Sequence, residues 1–279
     1  MDKVSFANVL MEMGLPHPKT VVLRDPSALE GVADDQLKGS FLKPNQSANF
    51  PTFFGAKALR FLDRGEALRL LENASAKGFT LMLQEFIPGP PTHHVFVEGF
   101  VDRRGRICGL FARRRIRMLP REFGNSTSSV SIPLTEISDA VETMRRLLSG
   151  IGYRGVFSGE LKFDERDGLF KLLEVNARPW WYVDFAARSG VDVCTMAYHD
   201  ALGEDVEPVT SYPVGRHCIY ARVDLESWRS ESQPRTGGWP LLRSWVGAYR
   251  PIFSWDDPLP GLMASYSWIK GWTTRGLGF

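Results

Sequence analysis

Gly155-Val-Phe-Ser-Gly-Glu160-Leu-Lys-Phe-Asp164 and Leu169-Phe-Lys-Leu-Leu-Glu174-Val-Asn176 flank the turn sequence Glu165-Arg-Asp-Gly168, and Ala177-Arg178-Pro179 follows. Two β-rich runs about a short glycine-containing stretch predict a hairpin. If it closes symmetrically about Asp167, Glu160 lies opposite Glu174 and Phe170 opposite Asp164. Asn176 shares the face of Glu174, because side chains alternate along a strand, and Arg178 joins them if the strand continues. Like charges opposed across a strand pair are destabilising unless something compensates them. A divalent cation would compensate here. Two carboxylates and an amide oxygen are hard ligands of the kind Mg²⁺ accepts when phosphate oxygens complete its octahedron, and Arg178 is suited to phosphate. The other reading is an exposed acidic hairpin with its carboxylates in water. The residues alone leave both open.

The chain has 279 residues, enough for one complex domain or two smaller ones. Its 43% hydrophobic and 24% charged content is that of a globular protein. A net charge of +2 points to neither nucleic acid nor an acidic surface. Cys108, Cys194 and Cys218 lack ligand spacing, which predicts a reducing compartment and no disulfide frame. The start lacks the basic and apolar regions of a signal peptide, and no run approaches the length of a membrane span. A soluble cytoplasmic protein is expected.

Gly159-Glu160-Leu-Lys-Phe-Asp164 followed by Leu172-Leu-Glu174-Val-Asn176-Ala-Arg178-Pro179 resembles the metal-binding end of the ATP-grasp superfamily, of the carbamoyl-phosphate-synthase-like or carboxylate–amine ligase type. The resemblance implies an α+β fold: two lobes gripping ATP between antiparallel sheets, followed by an aromatic-rich C-terminal extension. It places an N-terminal lobe at 1–85, a C-terminal lobe with the metal site at 86–203, and the extension at 204–279. It makes Glu160, Glu174 and Asn176 ligands of Mg²⁺ or Mn²⁺, and sets Lys3 and Lys43 on nucleotide phosphate. Gln84, Glu85 and Ile87 fall at the interlobe hinge that meets adenine, with His93 near the ribose. Arg178 and Lys43 take the catalytic positions. These motifs follow one another in family order over roughly residues 2 to 203. The family's glycine-rich phosphate loop is here Asn45-Gln-Ser-Ala-Asn-Phe-Pro-Thr-Phe-Phe-Gly55-Ala-Lys57, with one glycine, so its backbone approaches phosphate less freely. The preceding α/β domain usual in such ligases is expected to be missing.

Helical spacing is read over Val4–Met13, Arg64–Lys77, Glu136–Ser149 and Asp192–Ala201, and strands at Thr20–Leu23, Ser40–Pro44 and Phe79–Phe86. His93–Phe100 and Ile107–Arg115 predict a second hairpin. In Phe111-Ala-Arg113-Arg-Arg115-Ile-Arg117, alternation puts Arg113, Arg115 and Arg117 on one face and Arg114 on the other. No aromatic residues interleave to stack bases. A face that meets polyphosphate or a carboxylate, with Arg113 and Arg115 as nucleotide contacts, stands beside a solvated strand. Arg121–Ser129 reads as a polar loop. Six of the eight tryptophans lie between Trp228 and Trp272, and an aromatic layer folded back on the core is expected there. The resemblance implies an ADP-forming ligase joining a small carboxylate to an amine through an acyl phosphate. The alternative is a non-catalytic Mg-ATP module. A homodimer, or a partner supplying the missing domain, is the expected assembly, with no nucleic acid and no membrane span.

Overall fold

A computed structural model describes residues 3–46, 49–209, 211–230, 237–254 and 256–263. The chain divides into two compact units: Met1–Pro90, Ser138–Tyr153 and Gly159–Glu174 form the first, and Pro91–Ile137, Arg154–Ser158 and Val175–Phe279 the second. The described residues include no helix long and apolar enough to cross a membrane.

The first unit holds α1 (Lys3–Glu12), β1 (Thr20–Leu23), α2 (Asp34–Leu37), β2 (Ser40–Pro44), α3 (Phe50–Phe54), α4 (Arg64–Ala76) and β3 (Leu81–Glu85). The three strands pair antiparallel in the order β1-β3-β2. Leu42 is opposite Leu83 and Leu23 opposite Leu81, so strand alternation collects these leucines on one face. That face packs with Ala67, Leu71 and Ala74, which recur along one side of α4, and with Leu29, Val32 and Phe50. Asp63 starts α4 by accepting the Glu66 amide at 2.8 Å. The opposite face of the sheet carries Phe41, Lys43, Met82, Gln84 and Thr20.

Later in the chain come α5 (Ser138–Gly150), β7 (Gly155–Asp164) and β8 (Leu169–Asn176). Helix α5 lies so close to β7 that a Cβ at Gly159 would stand 2.4 Å from Met144 Sδ. A side chain at Gly159 would have to displace the tip of Met144. The β7–β8 turn closes with the Gly168 amide donating to the Asp164 carbonyl at 2.8 Å, Gly168 being left-handed at φ +73°. The Leu172 amide donates to the Pro16 carbonyl at 2.9 Å, which ties β8 to the connector after α1.

The second unit is built on β4 (His94–Val101), β5 (Ile107–Leu119), β6 (Asn125–Ser131) and β9 (His217–Ile219), within a sheet ordered β8-β7-β4-β5-β6-β9. Its apolar core joins Phe100 and Phe111 to Trp180, Tyr182, Phe185 and Cys218, with α6 (Val183–Arg188) and α7 (Val193–Ala201) contributing. The segment expected as the polar loop Arg121–Ser129 is, from Asn125 on, strand β6. Low β-propensity is overridden because its hydroxyls line the interior: Ser126 accepts from Arg115 Nε at 2.8 Å and Ser129 from Arg113 Nη1 at 3.2 Å.

The C-terminal stretch does fold back on this unit. Helices α8 (Ala221–Ser230) and α9 (Gly238–Trp245) bring Asp224 and Trp245 to the sheet. Asp224 is fully buried and accepts from Arg117 Nε at 2.8 Å, Arg117 Nη2 at 2.6 Å, Thr127 Oγ1 at 2.8 Å and Trp245 Nε1 at 2.8 Å. Trp255, Trp268 and Trp272 lie outside the described residues. Breaking a buried pair leaves one charge without its partner, at a cost of about 3–5 kcal/mol. Asp224→Ala is expected to lose that much in chemical denaturation, and a loss under about 1 kcal/mol would contradict the pairing described.

Candidate functional site

The polar face of the β1-β3-β2 sheet carries two of the expected residues, Lys43 and Gln84. Lys43 on β2 donates from Nζ to Gln84 Oε1 at 3.5 Å, and Gln84 Nε2 donates to Thr20 Oγ1 at 3.1 Å. Helix α1 starts beside them. Lys3 Nζ donates to the Pro44 carbonyl at 3.2 Å, and the Val4 amide donates to Asn45 Oδ1 at 3.2 Å. Asn45, expected to open the phosphate loop, thus caps α1. Farther along that loop Phe50 is buried and stacks on Phe54 at 4.5 Å, so a short helix, α3, replaces part of it. Ser47 and Ala48 lie outside the described residues.

Electrostatics bring the hairpin carboxylates into the same cluster. Burial lowers the Lys43 pKa, offset in part by Glu174 and Glu160. Lys43 keeps some solvent contact, but it sits deep among protein atoms. Burial and then the neighbouring charge of Lys43 bring Lys3 down to about 8, against the attraction of Glu174. Lys43 thus lies within electrostatic reach of both hairpin carboxylates, and Lys3 of Lys43 and Glu174. Lys162, on the same face of β7 as Glu160, is buried, with Nζ 5.1 Å from the centre of the Phe86 ring. Among the described residues no three His, Cys, Asp or Glu side chains gather as a cluster able to hold a metal. A cation at this hairpin would draw on two carboxylates, an amide and ligand oxygens, a donor set that fits Mg²⁺.

The hinge residues are committed differently. Glu85 pairs with Arg166 at 2.7 Å and accepts the Lys19 amide at 3.1 Å, while Ile87 is buried. Arg166, in the hairpin turn, also bonds Asp164 at 2.6 Å, and that carboxylate holds its pKa well above the usual arginine range. Asn176 closes β8, two residues beyond Glu174 and on its face. Arg178 is exposed and donates to the Pro179 carbonyl at 3.0 Å.

His93 and the arginine run belong to the second unit. His93 ends a 3₁₀ turn leading into β4. Arg113 and Arg115 are almost fully buried, which excludes a solvated strand. Arg113 is held by Glu98 at 2.8 Å, and Arg115 by Ser126 and the Met118 sulfur. Arg114 points the other way, to Glu136 at 2.7 Å and the Thr92 carbonyl. The buried acids Glu98 and Asp224 went unread in the sequence. One signal was available for Glu98: it is the lone charge in Val95-Phe-Val-Glu98-Gly-Phe100, on the strand that pairs with the arginine run.

The fold is that of ATP-grasp proteins. It is 26% identical over 211 residues to D-aspartate ligase of Enterococcus faecium (strain Aus0004), covering 72% of this chain and 50% of that protein. Among solved structures it superposes on L-amino acid ligase from Bacillus licheniformis with a TM-score of 0.55 at 18% identity, covering 75% of this chain and 51% of the other. The biotin carboxylase domain of Hydrogenobacter thermophilus 2-oxoglutarate carboxylase, solved with MgADP, gives 0.61 at 19% identity over 77% of this chain and 48% of that one. The chain thus spans about half the length of these proteins. No protein-family model matches it.

Lys3 is depressed in the folded chain, to about 8 from an ordinary 10.5. Between those values the unfolded chain holds the extra proton, so this group adds stability as pH rises. The stability of the wild type relative to Lys3→Met is therefore expected to increase between about pH 8 and pH 10 in urea titrations. A difference independent of pH would place Lys3 in a more open setting.

Proposed function

We propose that this chain is the nucleotide- and metal-binding part of an ADP-forming carboxylate–amine ligase. The observation that carries the reading is the joint cluster of Lys3, Lys43, Glu160 and Glu174, in which burial depresses both lysines. A bound polyphosphate would give these lysines the anion that burial withholds, and divalent cations would neutralise the two glutamates. Magnesium, when bound, spreads the charge of the transferring phosphoryl group. Lys3 and Lys43 would meet the nucleotide phosphates as compact point charges. Glu160, Glu174 and Asn176 keep the metal ions in register, and Arg178 meets the acyl phosphate formed on the carboxylate substrate. An amine then displaces phosphate, and no side-chain nucleophile is needed. Gln84, Glu85 and Ile87 serve the adenine end, His93 the ribose, and Arg113 and Arg115 act from within the second unit. The likeness to D-aspartate ligase and L-amino acid ligase favours an amino acid among the substrates.

A second reading is a Mg-ATP-binding module that turns over only with a partner or a further domain. It is favoured by the loop after Lys43, where Asn45 caps α1 and Phe50 anchors α3 in the core. Both readings require the metal cluster. Calorimetric titration of Mg-ATP is expected to show binding that is lost in Glu174→Ala, and ADP release is expected only with a carboxylate and an amine both present. Binding unchanged in Glu174→Ala would refute the metal assignment. Tight binding without turnover across a screen of amino acids would favour the second reading.

A further inference from the structure

Between the end of β8 at Asn176 and the start of α6 at Val183 the backbone is irregular. No strand ladder fixes this stretch, yet it carries Arg178 and leads directly out of Asn176. Its anchors are side chains. Trp180 and Tyr182 are both buried in the second unit's core, and Tyr182 donates its hydroxyl to the Ser126 carbonyl.

Both anchors meet one buried ion pair. Glu98 is fully buried, and its Oε1 accepts from Arg113 Nε at 3.0 Å, Arg113 Nη2 at 2.8 Å and Ser158 Oγ at 3.0 Å. The Arg113 guanidinium is layered between the Phe96 ring at 3.6 Å and the Tyr182 ring at 4.4 Å. Glu98 Oε2 and Trp180 Nε1 are both buried and make no hydrogen bond of ordinary geometry. They nevertheless sense each other: the indole N–H is among the groups that stabilise the Glu98 anion, against the upward push of burial. A buried acceptor and a buried donor that both lack a partner each carry a desolvation cost, which a bond between them, direct or through one water, would remove. A buried ion pair is also poor value as pure stabilisation, since well-packed apolar groups of the same volume often serve as well.

We propose that the Glu98–Arg113 pair is a positioning device for the metal and phosphate segment Asn176–Arg178, the carboxylate seating Trp180 and the guanidinium seating Tyr182. This rests on the ligase reading, because it gives Asn176 and Arg178 something to be positioned for. Neither Glu98 nor Arg113 touches the reacting groups in this scheme. They set the path of the backbone that does.

The test measures Mn²⁺ binding by electron paramagnetic resonance in the presence of saturating ADP, and ADP binding without metal by calorimetry. The proteins are the full chain and its Glu98→Gln and Trp180→Phe variants. Outer-shell partners of metal ligands are typically worth 10–100-fold in metal affinity. Glu98→Gln and Trp180→Phe are each expected to weaken Mn²⁺ by about tenfold or more, at the low end of that range. Metal-free ADP affinity should stay within about twofold. Trp180→Phe removes the N–H and keeps an aromatic body, so it carries the test if Glu98→Gln fails to fold. Unchanged Mn²⁺ affinity in the folded variants overturns the positioning role and leaves the ligase reading standing. Equal losses of metal and nucleotide affinity overturn it too, in favour of a purely structural pair. A wild-type chain that binds no Mn²⁺ with ADP overturns both.

Discussion

Strand β5 carries three guanidinium groups into the protein interior, and an arginine cannot shed its charge there. Each must be met by acceptors, and much of the second unit is arranged to meet them. Glu98 comes from β4, Ser126 and Ser129 from β6, and Asp224 from α8. The strand neighbours of β5 and the helix laid over it are thus bound by the same requirement. It explains why a run as polar as Asn125-Ser-Thr-Ser-Ser129 sits inside a sheet, where its short hydroxyls solvate the guanidinium groups in place of water.

The first unit follows the opposite logic. Arg117 and Asp224 saturate each other, whereas Lys3 and Lys43 are left with carboxylates that only partly offset their burial. A saturated ion pair has little further free energy to gain from an incoming ion. An under-compensated cluster has free energy to gain from an incoming anion and its counter-ions. The two kinds of charge site in one chain thus differ in how completely their burial is compensated.

Local signals in the sequence carried a good part of this. The hairpin of Glu160 and Glu174 was readable from two β-rich runs about a glycine turn, and β1 and β2 from short apolar alternation. The long-range pairings were not readable. The partner of Arg113 lies 15 residues away on a neighbouring strand, and that of Arg117 lies 107 residues on, in a helix. Spacing cannot reveal such contacts, because register and helix docking decide them. The misreading of β6 has the same origin: serine and threonine favour turns only while their hydroxyls bond locally, and here they bond across strands. The cluster of Lys3 with Glu174 was foreseeable only through family order, since nothing local joins a residue near the start of the chain to a hairpin far along it.

The four donors that converge on Asp224 bear on how this chain divides. Trp245 supplies one of them from α9, and Arg117 supplies two from the centre of the sheet. A fragment ending near residue 203 would keep the arginine and discard its counter-charge. The arginine, its counter-charge and Trp245 all fall within the second compact unit. The segment that looked like an appendage is the keystone of the sheet's charge balance.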